Sequence, residues 1–265
     1  MSDMSRDIIM QSLFPEKNSV QYTIYDEELL ALRGKGFREA GVSYIEDMLK
    51  SGRREKLLLH SCCAPCSSAC LEYLSLFFDI TDFFYNPNIR DKSEYKKRAE
   101  ELERLINCFN YETEGKTTAL SGHPREADGL KGERLKAIEF VEGEYEPGAF
   151  LEAVRGFEKE PEGGRRCIRC FRLRLYKTAE YAAANGFDCF TTTLTISPMK
   201  NAALLNHLGQ EAALEYGVRF LPSDFKKKDG YKRSIELSAA YGLYRQDFCG
   251  CAFSKAEREK KKNER

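Results

Sequence analysis

The stretch Lys56 to Cys70, KLLLHSCCAPCSSAC, constrains this chain more than any other. Its apolar run Leu57-Leu58-Leu59 stops abruptly at small and polar residues, the pattern of a buried parallel strand running into a turn. Pro65 has no backbone N–H to donate, which suits the turn or the first position of a helix. From Ser67 onward, Ala69, Leu71, Tyr73, Leu74 and Phe77 continue as that helix. Cys62, Cys63, Cys66 and Cys70 therefore gather where a strand of an open α/β sheet ends, and such sheets bind their ligands there.

The rest of the chain supports a parallel sheet flanked by helices. Ile80 to Tyr85 reads as a second strand, closed by the turn Asn86-Pro87-Asn88. Ser93 to Asn107 reads as a helix with Ser93 as its N-cap. Strand alternating with helix argues for parallel pairing. Phe171 to Asn185 is a further helix ending at Gly186. Phe187 to Leu194 is a third core strand, a helix runs from Ser197 to Tyr216, and Val218 to Pro222 is a fourth strand. Gly148 to Glu160 and Ser234 to Tyr244 also read as helices. Thr117 to Glu144 reads as an insertion, mostly loop, with one helix from Glu133 to Val141. His123 falls in that loop with no second ligand nearby. Three segments follow: a helical N-terminal extension over 1–54, an α/β domain over 55–254, and a charged tail over 255–265 that is expected to fray. Asp26 to Leu32 and Tyr44 to Leu49 are the helices expected in the extension.

With 42% hydrophobic residues in 265, a core can form without disulfide staples. Ten cysteines in a chain this large and charged point to metal or redox chemistry in a reducing compartment. No apolar stretch approaches the ~20 residues that span a bilayer, and Met1 to Phe14 lacks an apolar signal region. The expected location is the cytoplasm, with no membrane partner. Basic and acidic residues balance at 42 each, so bulk charge neither predicts nor excludes nucleic acid.

Beyond Cys62, Cys63 and Cys66, two more cysteine groups stand out. Cys167 and Cys170 form a C-x-x-C at a loop-to-helix junction beside Arg165, Arg166 and Arg169, where thiolates are favoured. Alone it fits zinc, iron–sulfur or dithiol redox chemistry equally. The adjacent pair Cys62-Cys63 suits a small zinc knuckle poorly and a multi-iron cluster better, one thiolate to each iron. Cys249-Gly250-Cys251 would close a small strained disulfide ring, easily reduced and reoxidised, and Gly250 eases the backbone. Cys66 either holds a second metal or lines the site. Cys70, Cys108 and Cys189 lie on apolar patterns and read as small buried hydrophobes. His60 could orient a ligand or pack in the core, and His207 reads as structural.

Taken together, HSCCAPC, FFYNPNI at Phe83 to Ile89, EPEGGRRCIRCFRLRL at Glu160 to Leu175, TTTLTISPMKN at Thr191 to Asn201 and the final YRQDFCGCAFS resemble the cobalamin-independent epoxyqueuosine reductases, the QueH family. The resemblance spans roughly Lys56 to Ser254. It implies a HUP-like nucleotide-binding-type fold, a 4Fe-4S cluster with an adjacent mononuclear iron, and reduction of epoxyqueuosine to queuosine at the tRNA wobble position, the last step of queuosine biosynthesis. It implies Cys62, Cys63, Cys167 and Cys170 as cluster ligands, Cys249 and Cys251 as a redox-active disulfide, and Cys66 as a ligand to the second iron. The implied partners are tRNAs of the aspartate, asparagine, histidine and tyrosine acceptor type and an electron donor. The N-terminal extension and the 117–144 segment look longer than the family core. Tyr85, Asp224 and Asp247 are possible proton donors, and Arg165, Arg166 and Lys226-Lys227-Lys228 possible phosphate contacts. A tRNA sulfur-transfer enzyme would instead want S-G-G-x-D-S where this chain reads SCCAPCS. A zinc-stabilised RNA-binding module is the other alternative.

Overall fold

The structure is a computed structural model that describes residue 27, residues 29–113 and residues 129–263. Its five strands are β1 (Lys56–Ser61), β2 (Asp79–Phe84), β3 (Glu139–Glu142), β4 (Cys189–Thr192) and β5 (Arg219–Phe220). They form one sheet in the order β3-β2-β1-β4-β5, and every pairing is parallel. The chain builds outward from β1 in one direction, then returns and builds outward in the other. The switch point therefore lies between the carboxyl ends of β1 and β4, where an open α/β sheet leaves a crevice.

Strand β1 is central, and its leucines alternate between two cores. Leu57 and Leu59 join Ile80, Phe84 and Cys189 on one face. Leu58 joins Phe83, Phe190 and Phe220 on the other. The first face is covered by helices α1 (Phe37–Lys50), α2 (Ala64–Leu74), α3 (Lys92–Thr113) and α7 (Gly230–Ala240). The second is covered by α5 (Arg165–Ala184) and α6 (Ala202–Tyr216). The short α4 (Pro147–Ala153) packs against α5, and α8 is Ala252–Asn263. No described helix is long and apolar enough to cross a membrane.

The rim below the amino ends of the strands is tied by polar groups. Arg54 donates to Asp79 Oδ1 at 2.8 Å and to the carbonyls of Ser75, Leu76, Phe78 and Glu133. The Lys56 N–H donates to Asp188 Oδ2 at 2.8 Å. One guanidinium thus satisfies carbonyls at the end of α2 that have no partner inside the helix.

Several expectations are corrected. The helix expected over Glu133 to Val141 is extended chain ending in β3. There Ile138 and Asn110 exchange hydrogen bonds at 2.7 and 2.9 Å, and β3 completes the sheet edge beside β2. Helix α3 is capped by Asp91, not Ser93: Asp91 Oδ1 accepts from the N–H groups of Ser93 and Glu94. The segment expected to fray is α8, whose Ser254 is buried and whose Glu257 pairs with buried Arg166. Helix α5 begins at Arg165, so Cys167 and Cys170 lie within its first two turns and not ahead of it. In the N-terminal extension, one helix spans Phe37–Lys50 where only Tyr44 to Leu49 was expected, and residues 27 and 29–31 are helical within the helix expected over Asp26 to Leu32. His123 and half of the extension lie outside the described residues.

Candidate active site

The turn after β1 delivers the first thiols. Cys63 adopts extended backbone at the N-cap of α2, and Pro65 follows within the helix's first turn. The Sγ atoms of Cys62, Cys63 and Cys66 all lie within 4.8 Å of one another, the one group of candidate ligands at that spacing among the described residues. Cys62 and Cys63 are 3.8 Å apart. Hydrogen bonds from Cys63 and Cys66 hold Cys62 well below the usual thiol range, and the same bonds push Cys66 up and Cys63 up to about 12. One sulfur carries the charge and two donate to it, at the positive end of a helix. Three soft donors at this spacing fit a thiolate-bound metal.

Cys167 packs against the apolar cluster that holds Cys62, Cys63 and Cys66, together with Ile168 and Phe171. Its sulfur accepts from the Gly163 N–H at 3.2 Å, yet burial still pushes it up to about 12. Cys170, one turn on, packs with Cys251 in a neighbouring cluster, and burial raises it. Neither joins the close trio, so the four sulfurs expected to share one cluster are not equally near. Cys251 accepts from the Ser254 N–H at 3.3 Å. All ten cysteines are free thiols. Cys70 and Cys189 are fully buried in the core as expected, whereas Cys108 is half-buried.

A cavity of about 420 Å³ opens over the switch point. Cys62, Cys66 and Cys249 line it together with Lys200, Arg174 and Arg98. Gly250 carries φ +116°, and a Cβ there would meet Ile89 Cγ1 at 2.9 Å and Arg98 Nη1 at 3.1 Å. The C-x-C loop can thus lie against α3 only because that side chain is absent. Helix α8 then anchors the loop from behind through the Arg166–Glu257 pair at 2.6 Å and a Ser254-to-Glu162 hydrogen bond.

Beneath the thiols lies a buried polar network. Arg174 Nη2 donates to Asn86 Oδ1 at 2.6 Å and its Nε donates to His60 Nε2 at 3.2 Å. Nδ1 faces Thr192 Oγ1 at 2.8 Å, and Nε2 also faces the Tyr85 carbonyl at 3.2 Å. Burial and then Arg174 lower His60 to about 3, so the ring is neutral. His60 orients Arg174 and does not face the cavity. The Arg174 charge is favoured by Cys170, Cys62 and Cys249, one sulfur from each cysteine group.

The other expected site residues divide. Asp247 lines the cavity, paired with Lys262 at 2.7 Å. Tyr85 donates to Glu146 and burial raises it far above its ordinary range, while Asp224 pairs with Lys226 and lines a separate small groove. His207 is exposed and pairs with Glu211. Arg165 pairs with Glu160 and Arg166 is buried, so neither arginine is free for a phosphate. Basic groups at the cavity belong instead to Arg245, Arg258 and Lys261. Sequence reasoning missed Arg98, Arg174 and Lys200. The signal for Arg174 was an arginine on the inward stripe of a helix, in FRLRL.

Known proteins resemble this chain over the part that carries the thiols. The family profile described as "Epoxyqueuosine reductase QueH" matches residues 57–257. A protein of that name from Staphylococcus epidermidis is 44% identical over 207 residues, covering 77% of this chain and 78% of the relative. One from Staphylococcus aureus is 40% identical and covers 87% and 83%. One from Thermotoga maritima is 34% identical and covers 77% and 93%. The match begins at β1 and ends in α8, so it contains the sheet and all three cysteine groups. The chain belongs to the epoxyqueuosine reductase QueH family.

Proposed function

We propose that this protein reduces epoxyqueuosine to queuosine at the wobble position of tRNA. The observation that carries the reading is the convergence of Cys62, Cys66 and Cys249 on one cavity at the sheet's switch point, in a chain of this family. The tRNAs are those with aspartate, asparagine, histidine and tyrosine acceptors, and the setting is the reducing cytoplasm. The chemistry belongs to the 55–254 unit, the 255–265 tail adds Arg258 and Lys261 to its cavity, and the 1–54 extension is an accessory.

Cys62, Cys63, Cys167 and Cys170 would hold a 4Fe-4S cluster, and Cys66 would contribute to a neighbouring iron. When bound, the cluster supplies single electrons and the iron a Lewis acid. The residues do the rest. Taking the oxygen from an epoxide to leave an alkene and water consumes two electrons and two protons. The Cys249–Cys251 dithiol carries that same number when it closes to a disulfide, and an external electron donor reopens it. Arg174 and Lys200 place fixed positive charge among the thiols. Arg258 and Lys261 offer charge to an RNA backbone at the cavity.

The test is iron and sulfide analysis of anaerobically prepared protein, with mass spectrometry of tRNA before and after reduction. Bound iron and loss of one oxygen from the modified base are expected. A colourless zinc protein that leaves the base unchanged would favour a zinc-stabilised RNA-binding module instead.

A further inference from the structure

Lys200 stands at the thiol end of the cavity on a rigid turn. β4 ends at Thr192, a 3-10 turn carries Thr193–Ile196, and the Lys200 N–H then donates to the Ser197 carbonyl at 3.2 Å. The next residue, Asn201, caps α6 by accepting from the N–H groups of Ala203 and Leu204, and its amide donates to the Leu32 carbonyl at 3.0 Å. The base of the lysine side chain is therefore fixed on both sides. The side chain lines the cavity; burial works against its charge, and the nearby sulfurs, with the charged Cys62 among them, more than offset that, so the group stays an ammonium.

The neighbouring guanidinium groups are already committed. Arg98 is held by Glu94 and the Cys249 carbonyl, Arg174 by His60 and Asn86, and Arg245 by Ser234 and Ser238. The Lys200 ammonium has no hydrogen-bond or carboxylate partner among the described residues. Its charge is balanced through space by the sulfurs, while its hydrogen-bond donors are left unused by the protein. Its position is useful only if something that enters the cavity brings an acceptor.

We propose that the Lys200 ammonium binds the epoxide oxygen of the substrate and stabilises the negative charge that builds on it as the C–O bonds break. The proposal rests on the function proposed above. The reduction breaks two C–O bonds, converts the C–C bond between those carbons to C=C, and releases the oxygen as water. Two electrons come from the external donor by way of the thiols, and two protons come from solvent. Lys200 transfers neither. It donates a hydrogen bond that strengthens as the oxygen gains charge, the kind of preorganised contact that is worth about 100-fold or more in kcat.

The test uses the metal-loaded protein, the variants Lys200→Met and Lys200→Arg, and anticodon stem-loop RNA carrying either epoxyqueuosine or queuosine. Without reductant there is no turnover, so equilibrium affinity can be compared for the two RNAs. Wild type should prefer the epoxide several-fold, and Lys200→Met should bind both equally with unchanged iron content. With reductant, Lys200→Met should lose about 100-fold in kcat, while KM rises only by the several-fold loss of affinity for the epoxide. Lys200→Arg, which keeps the charge, should recover part of both effects. If Lys200→Met keeps the epoxide preference, the proposal is overturned. If that variant instead loses iron or shifts the centre's reduction potential, the lysine merely balances thiolate charge. Wild-type protein that neither binds nor reduces the RNA would sink the functional reading itself, a failure visible without any variant.

Discussion

Arg98 Nη1 donates to the carbonyl oxygen of Cys249 across 3.2 Å, which fastens the C-x-C loop to the long helix α3. Arg98 is only 2% exposed and pairs with Glu94 at 2.6 Å. Replacing it by Met keeps the bulk but leaves Glu94 without its cation. The expected cost is about 3 kcal/mol in denaturant unfolding. Cys249 and Cys251 should also react faster with an alkylating reagent in native protein, because the loop has lost its fastening. Unchanged alkylation rates would mean that α8 alone holds the loop.

Gly250→Ala tests the close approach of that loop to Ile89 and Arg98. The added methyl meets Ile89 and Arg98, and the positive φ is unfavourable for alanine in any case. A loss of about 1–3 kcal/mol is expected, with turnover impaired more than iron content. Calorimetry and iron analysis of the same sample check both parts. A variant as stable and active as wild type would show that the loop has room the structure does not give it.

The three cysteine groups should separate by role. Cys167→Ala or Cys170→Ala should each remove most of the brown absorbance of anaerobic protein. Cys249→Ser or Cys251→Ser should keep the iron, abolish multiple turnover and retain some single-turnover reduction after chemical pre-reduction. Loss of iron from Cys249→Ser would make that sulfur a ligand and end the relay reading.

Asp82 gives a pH signature. Its carboxyl is fully buried, accepts from Ser61 Oγ at 2.6 Å, and is pushed by burial up to about 8. Between its unfolded value, about 4, and that one, the folded protein holds a proton that the unfolded chain releases. This stabilisation is fully present below the unfolded value and is lost as pH rises through about 8. Across that window the carboxyl should weaken the fold by on the order of 5 kcal/mol. Asp82→Asn cannot titrate, so its unfolding free energy should lack this slope. Parallel pH profiles for the two proteins would exclude a neutral buried Asp82.

Much of the centre was legible in the chain. The run from Leu57 to Cys66 shows a strand, a turn and a helix by local chemistry alone, and the structure has all three. β3 was not legible, because Glu133 to Val141 has the composition of a solvated helix and only pairing with Asp79–Phe84 makes it a strand. The C-terminal helix was hidden for a similar reason. Its lysines read as a solvated tail, and its anchor, Arg166, lies 91 residues earlier in the chain. Lys200 and Arg174 carry no motif of their own chemistry. Their meaning comes from the thiols they stand beside, which the fold brings together from three distant segments.

The carbonyls and carboxylate gathered by Arg54 lie at the amino rim of the sheet, and the thiols lie at the carboxyl rim. Inherited damage should therefore sort into two kinds. Substitutions around Arg54 and Asp188 lower the amount of protein that survives cellular proteolysis, several-fold for a loss of about 1–2 kcal/mol, while each surviving molecule works at full rate. Substitutions around Cys62 and Lys200 leave the amount intact and silence the molecules. Steady-state abundance and per-molecule rate, measured separately, would tell which rim a given allele has touched.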